Sequence, residues 1–320
     1  MKQTILVTGA VGFIGYHLCK RLISEDYNVI GVDNVNAYYD VDLKEFRLTK
    51  LRETNKFKFY KLDITDICAL CDNVFKENKI DVIVHLAAQA GVRYSMENPT
   101  LYMESNVMGF FNILECSRLY DIKKLLYASS SSVYGDDNNT DKPISLYAAT
   151  KKSNEILAYT YSHLYNIQTI GMRFFSVYGK LGRPDMAYFK FTKSILKNEG
   201  ITLYNGGNMY RDFTYIDDVI ESICRLLQKN AGLLYDIFDI GRGTTIKLTN
   251  FVRTLYNVLE KTGKDIGDLK LNTNYVFSKN DVFRTQANTE HLYKYCNYKP
   301  QTDIEEGLQK FVTWYVNYYD

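Results

Sequence analysis

The feature that most constrains the fold is a glycine motif that directly follows an apolar run near the start of the chain. Gly9, Gly12 and Gly15 are spaced three residues apart, after the strand-like run 4–8 and before the helix-period segment 17–25. In this context a glycine turn lets the backbone approach a pyrophosphate, and the helix amino terminus adds unpaired amides and a positive dipole. The motif therefore predicts a dinucleotide site, with a tight turn that binds nothing as the alternative.

Short β-rich runs alternate with longer amphipathic runs through the first half of the chain. This alternation predicts an α/β fold, a Rossmann-type doubly wound parallel sheet covered by helices on both faces. The predicted strands are 4–8, 27–33, 57–63, 81–86, 124–129 and 169–173, and the predicted helices are 17–25, 43–52, 67–77, 103–119 and 154–165.

After Phe174 the alternation gives way to loops that contain Gly and Asn, which predicts a smaller α/β lobe. Two later segments, 213–228 and 235–240, look able to rejoin the sheet, and 304–318 has the apolar spacing of a packing helix. We therefore expect a dinucleotide-binding domain of residues 1–175 plus about 213–242, and a second lobe of about 176–212 plus 243–320.

Charge and composition exclude several function classes. The net charge is +2 over 320 residues with the basic residues dispersed, so nucleic-acid or membrane-surface binding is not expected. No apolar run reaches the roughly 18 residues of a membrane span, and the chain enters a strand too early for a signal peptide, which favours a cytoplasmic location. Cys68 and Cys71 have the spacing of half a zinc site without a second half, so no metal is predicted and the six cysteines are expected to be reduced.

Two acidic residues follow predicted strands where a dinucleotide would lie. Asp33 ends the second strand, and its carboxylate can accept hydrogen bonds from an adenosine ribose and would repel a 2′-phosphate, which favours NAD over NADP. Asp63 ends the third strand, where it would meet the adenine side. A helix N-cap shared with Thr65 and Asp66 is an equal alternative for Asp63.

Tyr147 and Lys151 are the candidate proton-transfer pair. They are four residues apart, so in a helix they share a face, and a nearby ammonium lowers the pKa of a phenol toward that of a useful general base. Such a pair alone more often marks an exposed helix face, but its position after a dinucleotide-binding half favours catalysis. The serine run 129–132 precedes it at the carboxyl end of a strand, where ligands bind in open α/β folds.

Together these residues resemble a known family. The glycine motif, Asp33, the segment 85–88, the serine run, 147–151 and 211–218 are similar to the extended short-chain dehydrogenases that act on nucleotide sugars. The resemblance covers nearly the whole chain. Within that family, the segments 32–40, 89–95 and 182–187 look most like the UDP-glucuronate 4-epimerases.

The resemblance implies NAD-dependent 4-epimerisation of a UDP-sugar, from UDP-glucuronate to UDP-galacturonate, through a transient 4-keto sugar. Tyr147 would act as the base, assisted by Lys151, with Ser130 bridging to the sugar hydroxyl. The cofactor residues that it implies are Gly9, Gly12, Phe13, Ile14, Gly15, Asp33, Asn34, Asp63, Ile64, Leu86, Ala87, Ala88, Asn106, Tyr147 and Lys151.

The substrate residues are also taken from the resemblance. Arg211 would bind the diphosphate and Asp281 the uridine ribose, although the stretch 278–283 lacks the usual Gly and Pro, which leaves its loop shape open. Arg93 and Arg183 are candidate substrate-side cations, with salt bridges as the alternative. The hydroxyls of Ser130, Ser131, Ser132 and Ser176 are expected to bind the sugar carboxylate.

Other activities remain as alternatives. The serine run contains no carboxylate to remove a C5 proton, which argues against the related dehydratases and decarboxylases. A 4-epimerase for UDP-glucose or for a UDP-N-acetylhexosamine or its uronate differs only in a few pocket residues. A non-catalytic NAD-binding sensor or scaffold protein is the alternative from another class. The helices 103–119 and 154–165 resemble a family pair that forms a homodimer interface, and the resemblance points to a surface polysaccharide as the destination of the product.

Overall fold

The computed structural model describes residues 2–136, 142–229, 232–276 and 282–319. Its strands are β1 Thr4–Thr8, β2 Asn28–Asp33, β3 Phe57–Lys61, β4 Val82–His85, β5 Lys124–Ser130, β6 Gln168–Phe174, β7 Ser176–Tyr178, β8 Ile201–Tyr204, β9 Tyr210–Arg211, β10 Phe213–Tyr215, β11 Tyr235–Ile240, β12 Ile246–Lys247 and β13 Leu271–Val276. Its α-helices are α1 Phe13–Ser24, α2 Val41–Leu51, α3 Ile67–Leu70, α4 Tyr94–Glu97, α5 Pro99–Tyr102, α6 Gly109–Leu119, α7 Leu146–Tyr165, α8 Ala187–Leu196, α9 Ile216–Gln228, α10 Leu248–Glu260, α11 Glu290–Cys296 and α12 Ile304–Tyr319. Shorter π and 3₁₀ turns occupy Cys71–Phe75, Met103–Met108, Ser131–Tyr134 and Asn205–Gly207.

Seven strands form one sheet in the order β11-β6-β5-β4-β1-β2-β3. β1 is parallel to both β2 and β4, so the chain builds the sheet outward in one direction and then in the other, with the reversal between β1 and β4. Ile5, Leu6 and Val7 of β1 are fully buried, as expected for a strand covered on both faces. The predicted Rossmann-type fold is confirmed, and its ligand-binding position is the carboxyl edge at the reversal.

The predicted strands agree with the observed ones to within two residues, whereas several helices begin earlier or are interrupted. α7 begins at Leu146 rather than 154, and Ser145 caps it by accepting a hydrogen bond from the Ala148 amide at 3.2 Å. Its first two turns carry polar site residues, which hide the apolar period. The predicted helix 67–77 is α3 followed by a π-helical turn, and 103–119 begins with another π-helical turn before α6.

The chain divides into two compact units, residues 1–174 with 220–239 and residues 175–219 with 240–320. Of the two segments expected to rejoin the large sheet, only 235–240 does so, as β11; β10 pairs instead with β7, and the chain then continues as α9. In the second unit α12 is the predicted packing helix, with Leu308, Phe311 and Val312 fully buried. Within the described ranges, no helix has both the length and the apolar character that crossing a membrane requires.

Candidate active site

The glycine turn between β1 and α1 is packed too closely for side chains. Gly9 has φ +69°, and a Cβ there would lie 2.7 Å from the backbone nitrogen of Ala87, in the segment after β4. A Cβ on Gly15 would lie 2.0 Å from the Gly9 carbonyl oxygen, and one on Gly12 would lie 3.0 Å from it. The three glycines therefore allow α1, the turn and the end of β4 to meet at one point.

The start of α1 suits the pyrophosphate of a dinucleotide. Gly12 is the N-cap residue and supplies no side-chain acceptor, and the first helical turn, which includes Phe13 and Ile14, contains no acidic residue. The positive end of the helix thus faces the carboxyl edge of the sheet without a competing carboxylate of its own. Together with the side-chain-free turn, this arrangement fits NAD.

Asp33 lies at the end of β2, beside the glycine turn. Its Oδ2 accepts a hydrogen bond from the Val11 amide at 3.2 Å, and its Oδ1 accepts one from the Val35 amide at 2.9 Å. Burial raises the pKa of the Asp33 carboxyl, while these amides and Lys44 oppose the rise. The carboxylate therefore fixes the turn as well as being placed for a ribose.

Asp63 is tied to Asn34 rather than to a helix. The Asn34 side-chain amide donates to Asp63 Oδ2 at 2.7 Å, and the amide and hydroxyl of Thr65 donate to Oδ1 at 2.9 and 2.8 Å. Partial burial opposes ionisation of Asp63, but these hydrogen bonds outweigh it and lower the pKa. Of the residues in the capping alternative, Asp66 is the N-cap of α3, while Asp63 binds Thr65 just before that helix.

The segment after β4 is held from two sides. The amides of Leu86 and Ala87 each donate to Thr8 Oγ1 at 3.2 Å. Asn106 lies behind the same segment, where its Oδ1 accepts from the Gln89 amide at 2.8 Å and its Nδ2 donates to the Gln89 carbonyl and to Thr150, both at 3.0 Å. These bonds position the segment that contains Leu86, Ala87 and Ala88. Ile64, another predicted cofactor residue, is buried, and its carbonyl accepts a hydrogen bond from Asn112.

Tyr147 and Lys151 are one helical turn apart in the first turns of α7, as predicted. Lys151 is almost fully buried, and its Nζ donates to the Ala128 carbonyl oxygen of β5 at 3.0 Å. Burial lowers the pKa of Lys151 to about 8. The Tyr147 ring lies edge-on to Tyr102, with 6.1 Å between the ring centroids. The pair therefore combines a partly exposed phenol with a desolvated amine.

Ser130 is the last residue of β5 and is 7 % exposed. Its Oγ accepts a hydrogen bond from the Ser132 amide at 3.2 Å, which starts the 3₁₀ turn Ser131–Tyr134. Ser131 and Ser132 are half-buried in that turn. β5 and α7 thus bring Ser130 and the Tyr147–Lys151 pair into the same unit, at the carboxyl edge of the sheet.

Of the remaining predicted substrate residues, Ser176, Arg183 and Arg211 belong to the second unit. Ser176 begins β7, and its amide donates to the carbonyl of Asp212 at 3.0 Å. Asp212 is the residue that follows Arg211. The Arg211 Nη1 donates to the Tyr210 carbonyl at 2.9 Å, and Arg183 pairs with Asp185, with 3.0 Å between Nε and Oδ1. Arg183 therefore forms a salt bridge, which was the alternative to a substrate-side cation. Arg93 is exposed at the start of α4 in the first unit, and Asp281 lies outside the described residues.

Two buried groups that support the site were not predicted. Arg47 of α2 is fully buried, and its Nη1 donates to the Val11 carbonyl of the glycine turn and to the Tyr39 hydroxyl, both at 2.9 Å. Asp212 is also fully buried and accepts hydrogen bonds from the amides of Arg242, Gly243 and Ala287 at 2.9, 2.8 and 3.1 Å. In the sequence, only its position next to Arg211 could have singled out Asp212 as a supporting residue. Its hydrogen-bond donors lie far away in the chain and are identified by the fold alone.

A dinucleotide-type turn, an acidic residue after β2 and a Tyr–Lys pair one turn apart on a helix define an oxidoreductase-type site of the short-chain dehydrogenase class. Comparison with known sequences assigns the chain within that class. Residues 5–241 match the model of the NAD dependent epimerase/dehydratase family, and the chain belongs to this family. The resemblance inferred from the sequence motifs is thereby confirmed.

Two bacterial relatives match along nearly their whole length. Protein CapI of Staphylococcus aureus is 48% identical, over 98% of this chain and 99% of that protein. A probable UDP-glucuronate 4-epimerase of Rhizobium meliloti is 41% identical, over 97% and 96% of the two chains. Among solved structures, UDP-glucuronic acid 4-epimerase from Bacillus cereus in complex with UDP-glucuronic acid and NAD is similar with a TM-score of 0.89, at 30% identity, over 99% of this chain and 100% of that one.

Proposed function

We propose that this protein is an NAD-dependent UDP-sugar 4-epimerase that interconverts UDP-glucuronate and UDP-galacturonate. The observation that carries the proposal is the placement of Ser130, Tyr147 and Lys151 in one unit with the glycine turn, in a chain whose relatives include UDP-glucuronate 4-epimerases. A protein that only sensed NAD would need the turn and Asp33, but it would have no use for a buried lysine beside a tyrosine on α7.

Each catalytic side chain has a distinct task. Tyr147 takes the proton of the sugar 4-hydroxyl, and Lys151, one helical turn away on α7, supplies an ammonium that favours the phenolate. The Ser130 hydroxyl hydrogen-bonds the same sugar oxygen. When bound, NAD would supply the reversible hydride acceptance at C4 that epimerisation requires. Tyr147 would return the proton to the sugar oxygen once the hydride has been added to the opposite face of the 4-keto sugar, so that the epimer forms without net oxidation.

The cofactor residues divide according to the part of NAD that they meet. The glycine turn, with Phe13 and Ile14, would bind the pyrophosphate, and Asp33 with Asn34 would bind the adenosine ribose. Asp63 and Ile64 would contact the adenine. Leu86, Ala87 and Ala88 border the remainder, and Asn106 acts by fixing that segment through its bonds to Gln89.

A uronate substrate makes the serine hydroxyls important. The 4-keto form of UDP-glucuronate is a β-keto acid, which loses carbon dioxide when the C5–C6 bond aligns with the carbonyl π system. We assign Ser130, Ser131, Ser132 and Ser176 to hold the carboxylate out of that alignment. We also assign Arg211 to the diphosphate, Asp281 to the uridine ribose, and Arg93 and Arg183 to the role of substrate-side cations. Arg183 would act as part of its pair with Asp185.

The direct test is to incubate purified protein with UDP-glucuronate and NAD and to follow the anomeric proton signals by NMR. We expect UDP-galacturonate to accumulate without an external reductant, and Tyr147→Phe to abolish conversion. Conversion of UDP-glucose or UDP-N-acetylglucosamine instead would assign a sibling epimerase. NAD binding without turnover of any UDP-sugar would assign a sensor.

We also propose a homodimer built on α6 and α7. These helices adjoin within one unit, where the Tyr161 hydroxyl donates to Glu115 at 2.5 Å. They present apolar side chains to the outside, and such a patch marks an interaction surface. The exposed members are Leu101, Met103, Met108 and Leu119 on the helical run that ends with α6, and Ile156, Tyr159 and Leu164 on α7. Light scattering should give a mass twice that of the monomer, and Ile156→Glu should reduce it to the mass of one monomer. Tyr293→Glu, which changes an exposed aromatic side chain on α11, is the control and should leave the dimer intact.

A further inference from the structure

Glu155 of α7 is a buried carboxylate where three elements of the first unit meet. It is 2 % exposed and lies one helical turn beyond Lys151. Arg173 of β6 binds it through two hydrogen bonds, with Nε to Oε1 at 2.8 Å and Nη2 to Oε2 at 2.8 Å. Ser129 of β5 donates to Oε1 at 2.7 Å, and Lys152 donates to Oε2 at 3.1 Å. Both oxygens are therefore fully bonded.

The strand register makes this junction specific. Ser129 and Arg173 are directly opposite each other in the parallel pair of β5 and β6, so their side chains approach one carboxylate from adjacent strands. The Arg173 guanidinium also lies over the Tyr134 ring at 4.5 Å, and the Tyr134 hydroxyl donates to Asp239 at 2.7 Å. The junction thus extends to the turn that follows Ser130.

Consecutive residues of β5 are bonded to α7. The Ala128 carbonyl accepts from Lys151, and the Ser129 hydroxyl donates to Glu155. Ser130 is the next residue along the strand. Two bonds at neighbouring positions prevent β5 from sliding along α7 or rotating against it, and a displacement of about 1 Å at a reacting group can cost a hundredfold in rate.

We propose that Glu155 is a positioning residue that, through Ser129 and Arg173, sets the register of Ser130 on β5 against Tyr147 and Lys151 on α7. The proposal rests on the proposed epimerase function. Glu155 touches none of the reacting atoms, and its effect on turnover passes through Ser130.

The test is a double-mutant cycle, because a positioning bond matters only while the group that it positions is present. Ser129→Ala removes one hydroxyl and creates no large cavity, so it is the variant least disturbing to the fold. We expect it to lower kcat between roughly tenfold and a hundredfold, with KM for UDP-glucuronate and the affinity for NAD unchanged. In a Ser130→Ala background the same substitution should cause no further loss.

Glu155→Gln provides a graded second variant, since it retains one acceptor oxygen for Ser129 and Arg173 but loses the charge. It should lower kcat less than Glu155→Ala. The matched control is Ser162→Ala on α7, a serine that is 1 % exposed and donates to the Ile167 carbonyl at 2.8 Å, far along the helix from Tyr147. It should lower Tm at least as much as Ser129→Ala while kcat stays at the wild-type value.

The possible failures can be told apart. If Ser129→Ala lowers kcat by the same factor with and without the Ser130 hydroxyl, or leaves kcat unchanged, the positioning role is overturned while the epimerase assignment stands. If Ser130→Ala alone has no effect on kcat, Ser130 needs no positioning and the proposal also falls. If the wild-type protein converts no UDP-sugar, the proposed function fails and this proposal fails with it.

Discussion

Lys151 donates a hydrogen bond from Nζ to the Ala128 carbonyl oxygen at 3.0 Å, from a side chain that is only 1 % exposed. One residue therefore links the helix that carries Tyr147 to the strand that carries Ser130. Burial favours the neutral amine and lowers the pKa of Lys151 to about 8. The ammonium that we propose assists Tyr147 therefore titrates near pH 8.

Turnover should fall as the pH rises through about 8, because the Lys151 ammonium is then lost and the phenol of Tyr147 loses its cationic neighbour. Lys151→Arg keeps its proton and should move this alkaline limb to higher pH, at a lower maximal rate. The measurement is kcat against pH from 6 to 10 for both proteins. An alkaline limb at the same pH in both would show that another group titrates.

The same pKa shift has the opposite consequence for stability. Between about 8 and the ordinary lysine value of 10.5, the unfolded chain binds the proton and the folded chain does not. The contribution of Lys151 to the free energy of unfolding therefore rises with pH in the window where activity falls. Denaturant unfolding of wild type and Lys151→Met at pH 7 and pH 9.5 measures this contribution. The free energy of unfolding of wild type relative to Lys151→Met should rise between the two pH values, and a fall would contradict the expectation.

Gly15→Ala should prevent normal packing of the cofactor turn, because its Cβ would lie 2.0 Å from the Gly9 carbonyl oxygen. Overpacking of this kind costs about 1–3 kcal/mol, and here the displacement moves the amides that face the pyrophosphate. We expect a lower Tm and at least a tenfold weaker affinity for NAD. Gly200→Ala is the control, since nothing lies within 4 Å of its Cβ. Wild-type NAD affinity in Gly15→Ala would contradict the placement of the turn.

Much of the first unit was predictable because its signals are local. Apolar runs bounded by turn residues predicted the strands of the sheet, and Gly9, Gly12 and Gly15 marked a turn where strand and helix meet closely. The spacing of Tyr147 and Lys151 was informative because a helix converts a separation of four into proximity. The start of α7 was missed because its first turns carry those same polar residues.

The supporting contacts were not predictable because they join residues far apart in the chain. Ser129, Glu155 and Arg173 meet only once β5, α7 and β6 are assembled, and the one local signal is that Glu155 follows Lys151 by one helical turn. The sequence pattern predicts a strand at 213–215, but the alternation of strands and helices does not identify β7 as its partner. Local pattern identifies elements, whereas pairing depends on tertiary contacts.

Asp212→Asn should weaken substrate binding while NAD binding is retained. The Asp212 carboxylate accepts three backbone amides, from Arg242, Gly243 and Ala287, and fixes the backbone next to Arg211. An asparagine would replace one of the two carboxylate oxygens with an NH₂ group, which cannot accept the hydrogen bonds of the amides on that side. Leaving buried donors unsatisfied costs about 1–3 kcal/mol. We expect KM for the UDP-sugar to rise several-fold.

Asp218→Asn is the matched control in the same unit. Asp218 is also a buried carboxylate, but it accepts from the Tyr298 hydroxyl and the Thr302 amide, both at 2.8 Å, rather than from the segments around Arg211. It should lower Tm without the same rise in KM. Equal KM changes in the two variants would mean that Asp212 acts through general stability alone.

The serine hydroxyls should determine product purity as well as rate. If Ser131 and Ser176 hold the uronate carboxylate, then Ser131→Ala and Ser176→Ala each remove a hydrogen bond to a charged group, which is worth about 1.5–3 kcal/mol. The carboxylate of the 4-keto sugar would then reach the alignment in which it is lost as carbon dioxide. Mass spectrometry of the products should show a decarboxylated UDP-pentose beside UDP-galacturonate, whereas Ser194→Ala on α8 should give the wild-type pattern. Unchanged turnover and product purity in both variants would show that Ser131 and Ser176 do not bind the carboxylate. Selectivity for a uronate would then have to depend on other residues.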